Sequence, residues 1–197
     1  MKKIIVSIIL LFIFFTVNAQ LSVGPRLGIN NSMANFSASD IKVDPVVPGF
    51  YGGAFANYQF AKNFAAEVEL FYSGEGTKYK IKGSPTVYKV NLGYFNVPLL
   101  VQFKTSGGFY LETGPQMGFL LSANETDNGI TESIKDDISS SKFSWCFGIG
   151  KQFVKKLGID LRYAAGFSDI NKNSVSGGAI KDNVLSLGLS YAFHVGR

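Results

Sequence analysis

The chain has 197 residues, a formal net charge of +5, 46% apolar residues and only 17% charged residues. Average soluble domains carry roughly 25% charged residues, so this balance excludes intrinsic disorder and a coiled coil. A single Cys excludes an internal disulfide scaffold, and one Cys with one His argues against a multi-ligand metal site and a His-based enzyme.

Residues 1–19 read as a cleavable signal peptide: Lys2 and Lys3, an apolar run from Ile4 to Val17, then the small-residue site Val17-Asn18-Ala19. As a helix the run reaches about 21 Å, short of the roughly 30 Å hydrocarbon core, which disfavours an uncleaved anchor. The mature chain, 20–197, is expected to form one domain. Loss of Lys2 and Lys3 lowers its net charge to +3, too mild to imply a nucleic-acid partner.

Eight segments alternate with period two: roughly 21–31, 49–60, 63–74, 88–104, 107–122, 141–153, 156–168 and 183–194. In the third, Phe64, Ala66, Val68, Leu70 and Tyr72 share one face, and Ala65, Glu67, Glu69 and Phe71 the other. In the seventh, Leu157, Ile159, Leu161 and Tyr163 alternate with Gly158, Asp160, Arg162 and Ala164. A helix of period 3.6 cannot keep such sets on one face. The second segment is the weakest, because Tyr51 and Phe55 are large on the face read as polar.

The linkers after the second, fourth and sixth segments are short. Those at about 32–48, 75–87, 123–140 and 169–182 are long and polar. This predicts an all-β fold: an eight-stranded antiparallel up-and-down barrel. Two facings are possible. A soluble lipocalin-like carrier hides the apolar face inside; a transmembrane barrel turns it to lipid.

Three features favour the transmembrane barrel. The polar face is rich in glycine (Gly28, Gly114, Gly148, Gly150, Gly188) and poor in the charge a solvated face needs. Aromatics collect at both ends of the apolar face. Phe60, Phe64, Phe103, Phe109, Phe153 and Phe193 lie by short turns or the C-terminus. Phe50, Tyr72, Phe119, Phe143 and Phe167 lie by long loops, so the two sets form candidate interface girdles. Strands of about ten residues span a bilayer when tilted. Lys151, the single charge on the apolar face, lies by a short turn, where it can snorkel. Lipid also demands a closed sheet, so the first strand must pair with the last. Eight strands place both termini on the periplasmic side and four long loops outside.

The sequence resembles the PorT-like outer membrane β-barrel family, a group of small barrels of the OmpA/OmpX kind. Gly24-Pro-Arg-Leu-Gly-Ile-Asn-Asn-Ser32 is similar to its opening strand, and Tyr94-Phe-Asn-Val-Pro-Leu-Leu-Val-Gln-Phe-Lys104 to its most recognisable one. Glu69-Leu-Phe-Tyr-Ser-Gly-Glu-Gly76 and Gly114-Pro-Gln-Met-Gly-Phe-Leu-Leu121 fit in order between and after them. The last strand, with Ser186, Gly188, Tyr191 and Phe193, looks like the terminal signal read by barrel-insertion machinery. The resemblance implies an outer membrane protein embedded in lipid, with an accessory role in protein secretion or envelope assembly as one possible function. Pro25, Pro98 and Pro115 lack the ladder N–H, so each should mark a bulge or a missing bond.

The inward polar set is Arg26, Glu67, Glu69, Lys104, Glu112, Gln116, Asp160 and Arg162. It reads first as an ion-pair network plugging the lumen, with a narrow ion path as the alternative. His194 has no evident acid partner, so a lipid-modifying enzyme is disfavoured. Cys146 falls on the inward face and reads as packing. The third long loop reads as acidic, with five acids against Lys135 and Lys142, and the second as basic, with Lys78, Lys80 and Lys82. The expected role is non-enzymatic and without cofactor: a structural or surface-interaction barrel.

Overall fold

The computed structural model describes residues 20–36, 41–43, 48–81, 86–127, 129–153, 156–172 and 180–195. The expected signal peptide and Lys82 lie outside the described residues. The strands are β1 (Gln20–Phe36), β2 (Ile41–Val43), β3 (Pro48–Ala61), β4 (Phe64–Ile81), β5 (Val87–Lys104) and β6 (Phe109–Asp127). They continue as β7 (Ile130–Ser133), β8 (Ser141–Phe153), β9 (Leu157–Gly166), β10 (Ile180–Tyr191) and β11 (Phe193–Val195).

All belong to one sheet. Eight staves follow one another antiparallel: β1, β3, β4, β5, β6, β8, β9 and β10, with β11 continuing β10. The ring closes where β1 pairs with β10, from Arg26↔Ser190 to Phe36↔Ile180. Leu21 faces Val195, so both ends of the described chain lie at one rim. The short turns at Lys62–Asn63 and 105–108 share that rim. Gly108 makes the second of these possible: its φ is 80°, and a Cβ there would come within 2.4 Å of the Gln152 carbonyl oxygen.

The facing is the inverted one. In β9, Leu157, Ile159 and Leu161 are exposed, while Gly158, Asp160 and Arg162 are buried. Every aromatic of the two expected rings is exposed. Phe60, Phe64 and Phe103 cluster near the short turns. Phe50 packs on Tyr72, and Phe143 on Phe167, near the opposite rim. Lys151 lies on the outer wall, with Nζ 4.5 Å from the centre of the Phe109 ring.

Two expectations are corrected. The expected linkers at 75–87 and 123–140 are partly strand: β4 runs on to Ile81, β5 starts at Val87, and β6 runs on to Asp127 before β7. The same period-two pattern persists there with polar residues, because beyond the lipid both sides of a hairpin tolerate them. The expected acidic loop also loses Lys142, which lies on β8 and is buried inside the barrel.

The prolines interrupt the ladders without shifting them. Around Pro98, pairing between β4 and β5 lapses from Val68↔Leu99 to Phe71↔Asn96. Between β5 and β6 it lapses from Pro98↔Gln116 to Val101↔Thr113, a gap that includes Pro115. Pro25 lies where β10 gives way to β11. The two register shifts lie elsewhere, at Gln59/Ala61 and at Gly93/Tyr94.

Candidate functional site in the barrel lumen

The lumen is a stack of layers. The layer nearer the short turns holds seven of the eight expected inward residues. Arg162 on β9 reaches across to Glu69 on β4, with Nη2 to Oε1 at 2.7 Å and Nη1 to Oε2 at 3.0 Å. These staves stand diametrically opposite in the ring. The Arg162 Nε also donates to Glu112 at 2.8 Å. Arg26 on β1 pairs with Glu69, with Glu67 at 3.2 Å and with Asp160 at 3.5 Å. The guanidinium groups thus act as struts, and Arg162 meets Glu69 in the bidentate geometry that suits a carboxylate.

Amides extend this layer towards the rim. Gln102 donates to Glu112 at 2.9 Å, and Asn57 donates to Glu67 at 2.8 Å. Lys104 joins through Asn57, its Nζ donating to Oδ1 at 2.8 Å. The eighth expected residue, Gln116, stands apart. It accepts from the Cys146 thiol at 3.4 Å, in the next layer.

In that layer Leu100, Cys146, Ala164 and Val184 pack together, beside the buried amides of Asn96 and Gln116. Above it lies a second ionic layer absent from the sequence expectation. Lys142 on β8 pairs with Glu75 on β4 and, at 2.7 Å, with Asp182 on β10. Its Nζ lies 4.0 Å from the centre of the Tyr94 ring. At the outer mouth, Ile138 and Ile170 pack onto Leu92, Tyr94, Leu120 and Ala123.

Aromatic side chains fill what the ion pairs leave. Tyr51, Phe55, Phe71 and Tyr110 are all buried inside. They lie over glycines: an added Cβ would sit 2.6 Å from the Tyr51 ring at Gly28 and 2.3 Å from the Tyr110 ring at Gly150. Tyr51 and Phe55, the two residues that spoiled the alternation of the second segment, are therefore lumen filling. Alternating small and large inward residues lets a narrow barrel pack solid. Among the described residues, the lumen holds cavities of about 30 Å³ beside Lys104 and about 20 Å³ beside Gln116. Each is of water size.

The other expected sites take these positions. Ser186 and Gly188 face inward on β10, Tyr191 and Phe193 face outward, and β10 breaks at Ala192 between them. His194 is exposed on β11, opposite Ser22 at the short-turn rim.

Residues 18–172 match the outer membrane protein beta-barrel domain. The chain belongs to this family. Several solved structures are similar to the barrel, among them two with a TM-score above 0.5. One is the attachment invasion locus protein Ail of Yersinia pestis, at 20% identity and a TM-score of 0.51, covering 88% of this chain and 99% of that one. The other is Neisserial surface protein A, at 16% identity and a TM-score of 0.55, covering 89% and 99%. No curated protein matches the chain. The family places this barrel in the cell outer membrane, which it crosses with its strands.

Proposed function

We propose that this protein is a sealed, non-catalytic scaffold that holds its four extended connections at the cell surface, where they meet envelope or extracellular partners. The observation that carries this reading is the filled lumen. Two ionic layers, with the Leu100–Cys146–Val184 cluster between them, fill the lumen with buried side chains, and an ion passing that cluster would have to shed most of its water. Both ends of the described chain and the turns at Lys62–Asn63 and 105–108 share a rim, which we assign to the periplasm; the long hairpins then face outward.

The deciding experiment is planar-bilayer recording of the purified, heat-modifiable protein. Silence at all voltages is expected. Steady unitary currents that change in Glu112→Gln would replace the plug with an ion path. Covalent cross-linking in whole membranes then tests the surface role. Cross-links from the extended connections to surface or envelope partners fit the scaffold, and recovery only as a free barrel counts against it; recovery in a complex with secretion components would favour the PorT-like accessory role instead.

A further inference from the structure

The outer wall of β4, β5 and β6 carries an unusual charge arrangement near the outer rim. Lys78 on β4 and Lys89 on β5 are directly opposed in the ladder. Alternation from Tyr72 and Phe95 puts both on the outward face. Opposed like charges repel, at about 4.5–5.5 Å between Cβ atoms. Among the described residues neither lysine takes part in an ion pair.

The neighbouring strand could have supplied an anion, and its register withholds it. The shift at Gly93/Tyr94 reverses the facing of β6 beyond Leu120. Ser122, Asn124 and Thr126 therefore lie beside Gly93, Asn91 and Lys89 on the outer face. Glu125 is turned to the other side, where it accepts a 2.5 Å hydrogen bond from the Tyr79 hydroxyl. Burial and this carboxylate push the Tyr79 phenol above its ordinary range, so it stays a donor. The outward face is left basic and hydroxyl- and amide-rich, with no carboxylate among its described residues.

Directly below the lysine pair is a recess of about 350 Å³, within the size range of small-ligand sites. Its lining includes Phe50, Tyr72, Gly74, Lys89 and Ser122, together with Glu75, whose carboxylate is paired with Lys142. The lysines stand six residues above Tyr72. That is about 20 Å of strand, or about 15 Å of height at the usual tilt. A phosphate held there extends well above the girdle while its acyl chains remain in the bilayer.

We propose that this wall binds the phosphorylated sugar headgroup of an outer-leaflet glycolipid, with a phosphate between Lys78 and Lys89 and a sugar in the recess against Phe50 and Tyr72. The occupant is taken from the leaflet because the recess opens on the lipid-facing side of the wall at the height of the outer girdle. Neither the lumen nor its seal enters this argument.

The test uses the full protein in phosphatidylcholine nanodiscs doped with a diphosphorylated disaccharide glycolipid, its dephosphorylated form, or phosphatidylglycerol. Native mass spectrometry counts the lipid retained after mild detergent extraction. One phosphorylated glycolipid per barrel is expected. Lys78→Gln with Lys89→Gln should weaken retention roughly thirtyfold, at about one surface-lysine contribution each. Gly74→Leu should also abolish it with both lysines intact. An added Cβ there meets only ordinary contacts, the nearest being the Phe50 carbonyl oxygen at 3.7 Å, so the side chain fills the recess without moving the backbone. Lys62→Gln at the other rim should change nothing. Equal retention of the dephosphorylated form or of phosphatidylglycerol overturns the proposal. So does displacement by inorganic phosphate at equal concentration, or full retention in variants that still show the heat-dependent mobility shift.

Discussion

The two ionic layers of the lumen solve one problem with different means. Near the short turns, two arginines share four carboxylates, and the longest strut, Arg162 to Glu69, crosses the full width of the barrel. Near the outer mouth, a single lysine reaches two carboxylates and lies over the Tyr94 ring. An arginine fork fixes direction as well as charge, whereas an ammonium is a point that its flexible stem can re-aim. The lower layer therefore sets the shape of the ring, and the upper one neutralises charge beneath the apolar cap of Ile138 and Ile170.

The largest expected effect removes a strut. Arg162→Met leaves Glu69 and Glu112 buried without their main partner and should cost about 3–5 kcal/mol. Lys142→Met should cost about 3 kcal/mol, the lower end of the same range: Glu75 and Asp182 lose their cation and keep only the 2.5 Å bond from Ser32 to Asp182, but no strut across the ring is cut. Urea unfolding in detergent, read by the heat-dependent mobility shift, ranks the two. A cost for Lys142→Met equal to or above that of Arg162→Met would erase the distinction between the layers. Replacing the whole upper set, Lys142→Met with Glu75→Leu and Asp182→Leu, should recover most of the loss, since no uncompensated charge then remains. If the triple variant is no more stable than Lys142→Met, the triad does more than neutralise charge.

A smaller effect separates the layers through their glycines. A Cβ at Gly148 would lie 2.6 Å from the Glu112 carboxylate, which Arg162 and Gln102 hold in place. At Gly118 it would lie 2.6 Å from the Asn96 side chain and 2.9 Å from the stem of Lys142. Overpacking typically costs about 1–3 kcal/mol. Gly148→Ala should fall at the upper end and Gly118→Ala at the lower, because methylenes yield more readily than a pinned carboxylate. Equal unfolding midpoints for the two variants would show that the lower layer is no more rigid than the upper.

The unequal legibility of the layers has a physical cause. Arg26, Glu67, Glu69, Glu112, Asp160 and Arg162 are readable as inward because apolar residues bracket each of them on the strand. Leu161 beside Arg162, and Val68 between Glu67 and Glu69, fix the facing. Lys142 follows Ser141 and has only Phe143 to mark its facing, while Glu75 and Asp182 lie where the flanking residues are glycine or polar: Gly74 and Gly76, Lys181 and Asn183. Period two persists there, but with no apolar face to give it a sign. The same loss of contrast makes β4–β6 look like loops above Tyr72. Tyr51 and Phe55 mislead in the opposite sense, because a side chain filling a lumen has the same composition as one facing lipid. Only the glycines opposite them, Gly28 and Gly188 for Tyr51, mark the difference, and those lie on other strands.

The smallest expected effect probes the layer between the two. Cys146 is fully buried, and its thiol donates to Gln116 between the arginine struts and Lys142. In a solid lumen, neither rim admits a reagent to it. A maleimide added to the folded protein should leave Cys146 unmodified, and should modify it completely once heat unfolds the barrel. Lys142→Met tests the outer seal in the same assay. Labelling from the outer side should remain absent, because the Ile138–Ile170 cap does not depend on the charge. Arg162→Met should instead allow slow labelling, since loss of the widest strut loosens the ring one layer below the thiol. Labelling of the unaltered barrel, complete and without heat, would mean that water reaches this layer. The two ionic layers would then be the walls of a path rather than the two halves of a plug.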